Sequence, residues 1–450
     1  MQGWNERALI CEEGTVLREA DVVVCGAGPA GVAAATVCAR QGLDTLLVEK
    51  NGFCGGAAVA GLSGTICGLY LTQNDIHNAT PKQIVFGFAE EFRTRLSKKH
   101  GLTEPQVYGN THVVTFDPLI WREAADDMLE EAGVSCLYHT LVTGVVKEQG
   151  HYSAIRLESS AGHTLVKAKA FIDATGDAAL AAQAGLPYTY GDNGAIQNPT
   201  MMFRLCDVDE EGFYGYFGSD TICPDDLTQK LQAAFKDGSY TTPRDRVWVF
   251  PTPQHSVFLM NCTQLAGQNG EMLNVIDPKD RTWGEISGRR AAREYHRFFK
   301  DNVPGFEQSQ LIDMSPEVGV RQTRTISGES RLTNDHVAQC AKAKDGIARS
   351  SWPIELHAGE VSKLHWLIDD YYEVPYATLV PKETDNLIVA GRSLCAEHEA
   401  LASARVTAQC FEYGHAAAVA TALMLKQGLS YRDVDTDELR ARMIDNGSAL

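Results

Sequence analysis

The plainest chemistry in the chain lies in six consecutive residues, Gly26-Ala27-Gly28-Pro29-Ala30-Gly31, set between the apolar run DVVVC at 21–25 and an Ala-rich stretch ending at Arg40. Glu49, followed by Lys50, stands 23 residues after Gly26 at the end of a second apolar run. A strand, a glycine turn, a helix and a carboxylate at the tip of the next strand make up the dinucleotide fingerprint. Gly26 permits the tight turn, Gly28 lets the main chain approach a pyrophosphate, and Gly31 lets the helix pack on the strand. The helix opening at Pro29 and Ala30 offers unpaired N–H groups and a positive dipole end to phosphate. Glu49 is placed to accept hydrogen bonds from an adenosine ribose. The fingerprint reads an ADP half, so it leaves NAD and FAD both open.

Two other groupings are chemically suggestive. Arg321 and Arg324, in GVRQTR, are three residues apart; paired guanidiniums suit a carboxylate substrate through forked hydrogen bonds, or tie domains together. Cys54 precedes Gly55-Gly56, yet the nearest partner, Cys67, is 13 residues on and the twelve cysteines contain no CxxC pair, so a structural thiol is expected. Metal-ligand spacings are absent as well, and no metal is expected.

Three further segments narrow the cofactor. FIDATGD at 171–177 reads as a strand ending at Thr175-Gly176-Asp177, NLIVAGR at 386–392 as another ending at Gly391-Arg392, and Gly414-His415-Ala416-Ala417 lies in a final Ala-rich helix. With these in place the chain resembles the FAD_oxidored family of FAD-dependent oxidoreductases, within the glutathione-reductase-like class of flavoproteins. The resemblance runs from about Ala20 to Gly428, through VVVCGAGPAGVAAA, LLVEKNGFCGGAAVAG, FIDATGDAALAAQAGLP, PTMMFRL, GVRQTRTISGESRLT and YYEVPYATLVPKETDNLIVAGRSLCAEHEALASARVTAQC. It implies FAD bound in extended form, with Gly26, Gly28, Gly31 and Glu49 on the ADP half and Val142 near adenine. Gly55 and Gly56 would lie close to the pyrophosphate or flavin edge, and Thr175, Gly176 and Asp177 beside the first glycine turn. Gly391 and Arg392 fall near the ribityl–pyrophosphate region, and Gly414 and Ala416 near the flavin ring. Ala178 and Ala418 stand where the family shows a second glycine, implying a less close backbone approach there. Arg392 has the alternative of capping carbonyls or pairing with a surface carboxylate.

A flavin takes a hydride from carbon only if a base takes the accompanying proton or a charged group stabilises the developing anion. His398 and Arg405, in CAEHEALASAR, match the family's motif and lie about two turns apart on one face if that stretch is helical. His398 is expected to do acid–base work, with Arg405 and Arg321 orienting substrate. His357, in WPIELHAG, and Tyr372, of the Tyr371-Tyr372 pair, are further candidates. The expected function is flavin-dependent oxidation or reduction of a small organic molecule; the alternative is an electron-carrying flavoprotein subunit whose acidic surface docks a redox partner. Substrate, electron acceptor and homo-oligomer formation stay open.

The elements that must position these groups follow from periodicity. DVVVC, LDTLLVEK at 43–50 and NLIVAG read as buried parallel strands, and Pro29–Arg40 as the helix of a βαβ unit. IVFGFAEEFRTRL at 84–96 is amphipathic, and Asp117-Pro118 opens a helix that Gly133 ends. Strands fill 135–169, and 403–428 reads as one long Ala-rich helix. The fold expected is α/β: a doubly wound, Rossmann-like FAD-binding domain in two pieces, 20–184 (with a helical excursion at about 70–116) and 376–430, interrupted by a mixed α/β substrate domain at 185–375. The first 20 residues read as a tail or edge element.

Composition excludes other classes. A chain of 450 residues with 44% hydrophobic content is a folded protein, and its net charge of −18 repels nucleic acid phosphates. The 18 uncharged residues between Asp21 and Arg40 are long enough for a membrane span. Four of them, Gly26, Gly28, Pro29 and Gly31, fit a strand, turn and helix instead. With an N-terminus too polar for a signal peptide, a cytoplasmic placement without membrane partners is expected.

Overall fold

The computed structural model describes residues 15–148, 150–241, 244, 246–357 and 363–450. Strands β1 (Val16–Cys25), β2 (Thr45–Val48), β6 (Ser135–Leu137), β9 (Gly162–Asp173) and β20 (Leu387–Val389) form a parallel sheet in the order β6-β2-β1-β9-β20. Every side chain of β2 and of β20 is buried, as a sheet covered on both faces requires. Val389 pairs with Asp173 and Cys25 with both Val48 and Asp173, so the carboxyl ends of β1, β2, β9 and β20 share one edge. Ligands of open α/β sheets bind at that edge. β7 (Leu141–Glu148) and β8 (His151–Ser159) run antiparallel onto the first half of β9 as a hairpin layer.

Helix α1 (Pro29–Arg40) has Pro29 at its first position, where the missing N–H costs nothing, and every residue from Ala30 to Cys38 is buried. It is apolar all round because α10 (Thr407–Gln427), equally apolar, covers its other face. α2 (Phe88–Lys98) and α3 (Pro118–Ala132) follow; Asp117 caps α3 by accepting the Leu119 N–H at 2.8 Å, and left-handed Gly133 (φ 78°) ends it. The stretch expected to be a helical excursion also holds β4 (Gln106–Tyr108) and β5 (Thr111–Thr115), which form an antiparallel sheet with β3 (Thr65–Ile66) just before it.

After α4 (Ala179–Gln183), β10 (Tyr188–Tyr190) pairs with β15 (Arg324–Ile326). Between them, β11 (Phe203–Cys206), β12 (Trp248–Pro251), β13 (Phe258–Asn261) and β14 (Gln310–Met314) form an antiparallel sheet packed by α5 (Glu210–Phe217), α6 (Asp225–Lys236) and α7 (Pro278–Asn302). This unit has its own apolar core, running from Met201 to Val318. α8 (Asn334–Ala338) and the pairs β16 (Gly346–Ser350) with β19 (Tyr372–Pro375) and β17 (Ile354–Leu356) with β18 (Lys363–His365) come next. Ile347, Ala348, Tyr372 and Val374 join the core beneath α1 and α10. α11 (Thr436–Asp445) closes the chain's regular structure.

Two expectations change. β1 begins at Val16, because its first half pairs with β9 from Leu165 onward; residues 1–14 lie outside those described. The helix expected over 403–428 is two, α9 (His398–Ala404) and α10, broken where Arg405 leaves the helix (ψ 1°) and Val406 is extended (ψ 164°). Among the described residues no helix is long and apolar enough to cross a membrane.

Candidate functional site

The glycine turn is held by contact. A Cβ on Gly26 (φ 96°) would stand 2.5 Å from the Ala174 carbonyl oxygen, and one on Gly31 would stand 1.8 Å from the Gly26 oxygen. Across the opening, a Cβ on Gly56 (φ 48°) would fall 2.9 Å from the Gly28 Cα, so two bare main-chain segments face each other. That leaves a cradle for a phosphate linkage at the tip of α1. Gly55 (φ 131°) serves the turn itself, donating its N–H to Ala27 O at 2.7 Å. Glu49 is buried, and its carboxylate accepts the Ala27 N–H at 2.7 Å and the Asn51 N–H at 2.9 Å; burial raises its pKa against the pull of those amides. Lys50 pairs with Glu317 at 2.8 Å, which also pairs with Arg281.

Around β9, buried Asp173 accepts from the Thr175 hydroxyl at 2.7 Å and the Ala181 N–H at 2.9 Å. Arg392 Nη2 and Thr323 Oγ1 each donate to Asp177 Oδ1 at 2.7 Å. Burial alone would raise the Asp177 pKa, but Arg392 and Thr323 outweigh it and hold it below the usual range. Ala178, buried at φ 48°, takes the left-handed conformation that glycine favours.

One cavity of about 260 Å³ joins these parts to a second cluster. Its walls include Gly26, Gly28, Pro29, Ala30, Glu49, Lys50, Gly56, Thr175, Gly176, Asp177, Gly391 and Arg392 at one end. At the other lie Tyr108, Arg321, Glu355, His357 and Arg405. Between them the tip of α10 opens into it at Val406, Thr407 and Cys410.

The second cluster is buried and polar. Tyr108 donates its hydroxyl to Glu355 Oε1 at 2.6 Å, and His357 Nε2 lies 3.3 Å from the same oxygen. Arg244, 3% exposed, sits behind: its Nη2 is 3.3 Å from His357 Nδ1, and its guanidinium stacks 4.3 Å above the Trp248 ring. A guanidinium only donates, so Nδ1 accepts and the proton of the neutral ring is on Nε2, toward Glu355. Burial and the neighbouring Arg321 keep the His357 pKa low, matching a neutral ring. Arg321, 8% exposed, donates to the Asn198 carbonyl at 2.9 Å, and Arg405 donates to Gln197 Oε1 at 3.2 Å.

The other residues singled out from sequence lie off this cavity. Gly31 and Gly55 shape the turn from behind. Val142 is in the hairpin layer, its carbonyl accepting from Gln183 at 2.8 Å. Gly414 and Ala416 are inside the α1–α10 contact, where a Cβ on Gly414 would stand 2.0 Å from Ala30 O. Tyr372 is fully buried against Ser403, hydroxyl to hydroxyl at 2.9 Å, and His398 heads α9. Cys54 is buried 3.1 Å from the Tyr138 hydroxyl, with its thiol pushed up by burial. Arg321 and Arg324 part company: Arg324 opens β15, donates to Asp177 O at 3.2 Å and stacks on Tyr188.

Sequence reasoning missed Tyr108, Arg244 and Glu355. Glu355 had a legible signal, since positions two apart in an extended chain share a face and His357 was already in view. Tyr108 and Arg244 had none, being 247 and 113 residues from their partners.

From residue 21 to residue 443 the chain matches the family described as FAD dependent oxidoreductase. The chain belongs to that family. It is an FAD-binding oxidoreductase, and the glycine cradle, the α1 tip and the Glu49 carboxylate are the donor set and clearance that FAD's ADP half needs. It is 25% identical to a digeranylgeranylglycerophospholipid reductase of Thermoplasma acidophilum over 65% of this chain, a match spanning 64% of that relative's length. It is 23% identical to digeranylgeranylglycerophospholipid reductase 1 of Methanococcoides burtonii over 78% of this chain and 76% of that one. In fold it resembles p-nitrophenol 4-monooxygenase of Pseudomonas putida DLL-E4, at a TM-score of 0.50 and 11% identity, covering 96% of this chain and 85% of that one.

Proposed function

We propose that this oxidoreductase moves a hydride between FAD and a small organic molecule seated at the Tyr108–Arg321–Glu355–Arg405 end of the cavity. FAD, when bound, supplies a two-electron acceptor or donor. The single observation carrying the reading is the continuity of one cavity from the glycine cradle to a buried cluster of ionisable groups. Gly26, Gly28 and Gly56 clear the diphosphate path, and Glu49 anchors the ribose side. Thr175 to Asp177 with Gly391 and Arg392 form the opposite wall.

In oxidation, the substrate carbon gives up a hydride and the adjoining O–H, N–H or C–H gives up a proton; in reduction both return. Tyr108 and Glu355 are the groups we assign to that proton. Both border the cavity, and a 2.6 Å hydrogen bond from the Tyr108 hydroxyl to the Glu355 carboxylate holds the pair in place. His357 is then a positioning residue, since both ring nitrogens are engaged. Arg321 and Arg405 orient the substrate. The eleven described cysteines are all free, which supports work in a reducing compartment such as the cytoplasm.

Anaerobic titration of the yellow holoenzyme against hydroxy acids, sugars, amines and alkenes tests this. Bleaching of the oxidised form, or recolouring of the reduced form, by one of these compounds is expected. Electron exchange only with a partner protein would sink it in favour of the carrier alternative.

A further inference from the structure

Arg244, Arg321 and Arg405 converge on the substrate end, while one described carboxylate, Glu355, faces them. That carboxylate is already engaged by Tyr108 and His357. Among the described residues, no carboxylate oxygen lies within 4.0 Å of any of the three guanidiniums. Their partners are neutral: Asn198 O, Gln197 Oε1, Asn261 Oδ1, Thr263 O and His357 Nδ1. Nε of Arg244 and Nε of Arg405 are buried without a partner, as are Asn198 Oδ1 and Gln197 Nε2.

Among the described residues this is three cations against one anion, with Arg244 and Arg321 buried, a costly arrangement unless a counter-charge arrives. The crowding shows in Arg321, whose charged form is disfavoured first by burial and then by Arg244 and Arg405. Arg321 and Arg405 border the cavity directly, so the missing anion has a route to them.

We propose that this end of the cavity binds the carboxylate of a small organic acid, met by Arg321 and Arg405 and positioned by Arg244 behind His357. The inference rests on the hydride-transfer reading and names its substrate class. A purely hydrocarbon substrate would gain nothing from three guanidiniums and would leave them unpaired. A neutral alcohol of the same shape would leave the same charges uncompensated.

The test uses the holoenzyme with flavin absorbance as the readout. Glycolate, succinate and benzoate are titrated beside ethylene glycol, 1,4-butanediol and benzyl alcohol, and beside inorganic sulfate. Saturable spectral shifts are expected with at least one carboxylate, at a Kd at least about tenfold lower than for its neutral counterpart or for sulfate. Arg321→Lys and Arg405→Gln are each expected to raise that Kd about tenfold or more, with FAD content unchanged. The wild-type comparison stands even if a variant does not fold. Equal binding of acids and alcohols, or sulfate matching the carboxylates, would overturn the proposal. So would variants that move the flavin potential yet leave the carboxylate Kd untouched. Carboxylate binding without any flavin bleaching would count against the hydride reading alone; bleaching by neutral compounds with no carboxylate response would count against this inference alone.

Discussion

At the scale of single residues, Gly26 and His357 show two different constraints. Gly26 combines a left-handed backbone (φ 96°) with a Cβ position 2.5 Å from Ala174 O, so strain and overlap add. Gly26→Ala is expected to cost about 2 kcal/mol or more and to lower FAD content, read by denaturant unfolding and by flavin released per chain. For His357, the fold holds the ring neutral: burial first, then Arg321 and Arg244, depress its pKa below its ordinary 6.5. Glu355 is depressed too, because His357, Tyr108 and Arg405 outweigh a burial that alone would raise it. Both signs agree. Below pH 6.5 the unfolded chain takes up a His357 proton that the fold refuses. Below pH 4.5 it takes up one on Glu355 as well. Stability should therefore be full near neutral pH and fall as pH drops through the acid range. His357→Gln should flatten the first part of that fall in a series of melting curves, whereas an unchanged slope would place the titration elsewhere.

At the scale of elements, α1 and α10 meet backbone to backbone. The contact needs Gly414, since a Cβ there would stand 2.0 Å from Ala30 O. Gly414→Ala should push the helices apart at a cost of about 1–3 kcal/mol. The tip of α1 shifts with it, so FAD content should fall together with the midpoint of denaturation; a normal midpoint would mean the helices slide without strain. The break between α9 and α10 is the other decisive junction. It turns Arg405 and Val406 into the cavity, where a continuous helix would have carried them along its own axis.

At the scale of the whole molecule, two apolar cores both contribute to the cavity wall, Ala30 and Ala58 from one and Val318 from the other. Lys50, just past β2, and Arg281, on α7, both hold Glu317 across it. These pairs are partly exposed, with side-chain exposures of 43%, 32% and 23%, so Glu317→Gln should change stability by less than about 1 kcal/mol. FAD release should nonetheless quicken, measurable as flavin fluorescence appearing after dilution. Because a ligand that binds only the folded chain stabilises it by mass action, adding FAD to apoprotein at a thousandfold over its Kd should stabilise by about 4 kcal/mol, seen as a higher melting temperature.

The chain alone determined the nucleotide half. A βαβ unit is local: Gly26 to Glu49 lie within one strand–helix–strand unit, and their types follow from turn, dipole and close-packing demands that any sequence must meet. Strands at 171–173 and 387–389 were also legible, because buried parallel strands read as short apolar runs. The polar end of the cavity was legible only in part: Arg321, His357 and Arg405 could be singled out one by one, but only tertiary structure brings them together with Tyr108, Arg244 and Glu355, because these come from distant segments with no shared periodicity. For the same reason Arg324, which spacing paired with Arg321, lies instead on β15 beside Asp177, where an extended strand rather than a helix sets its direction.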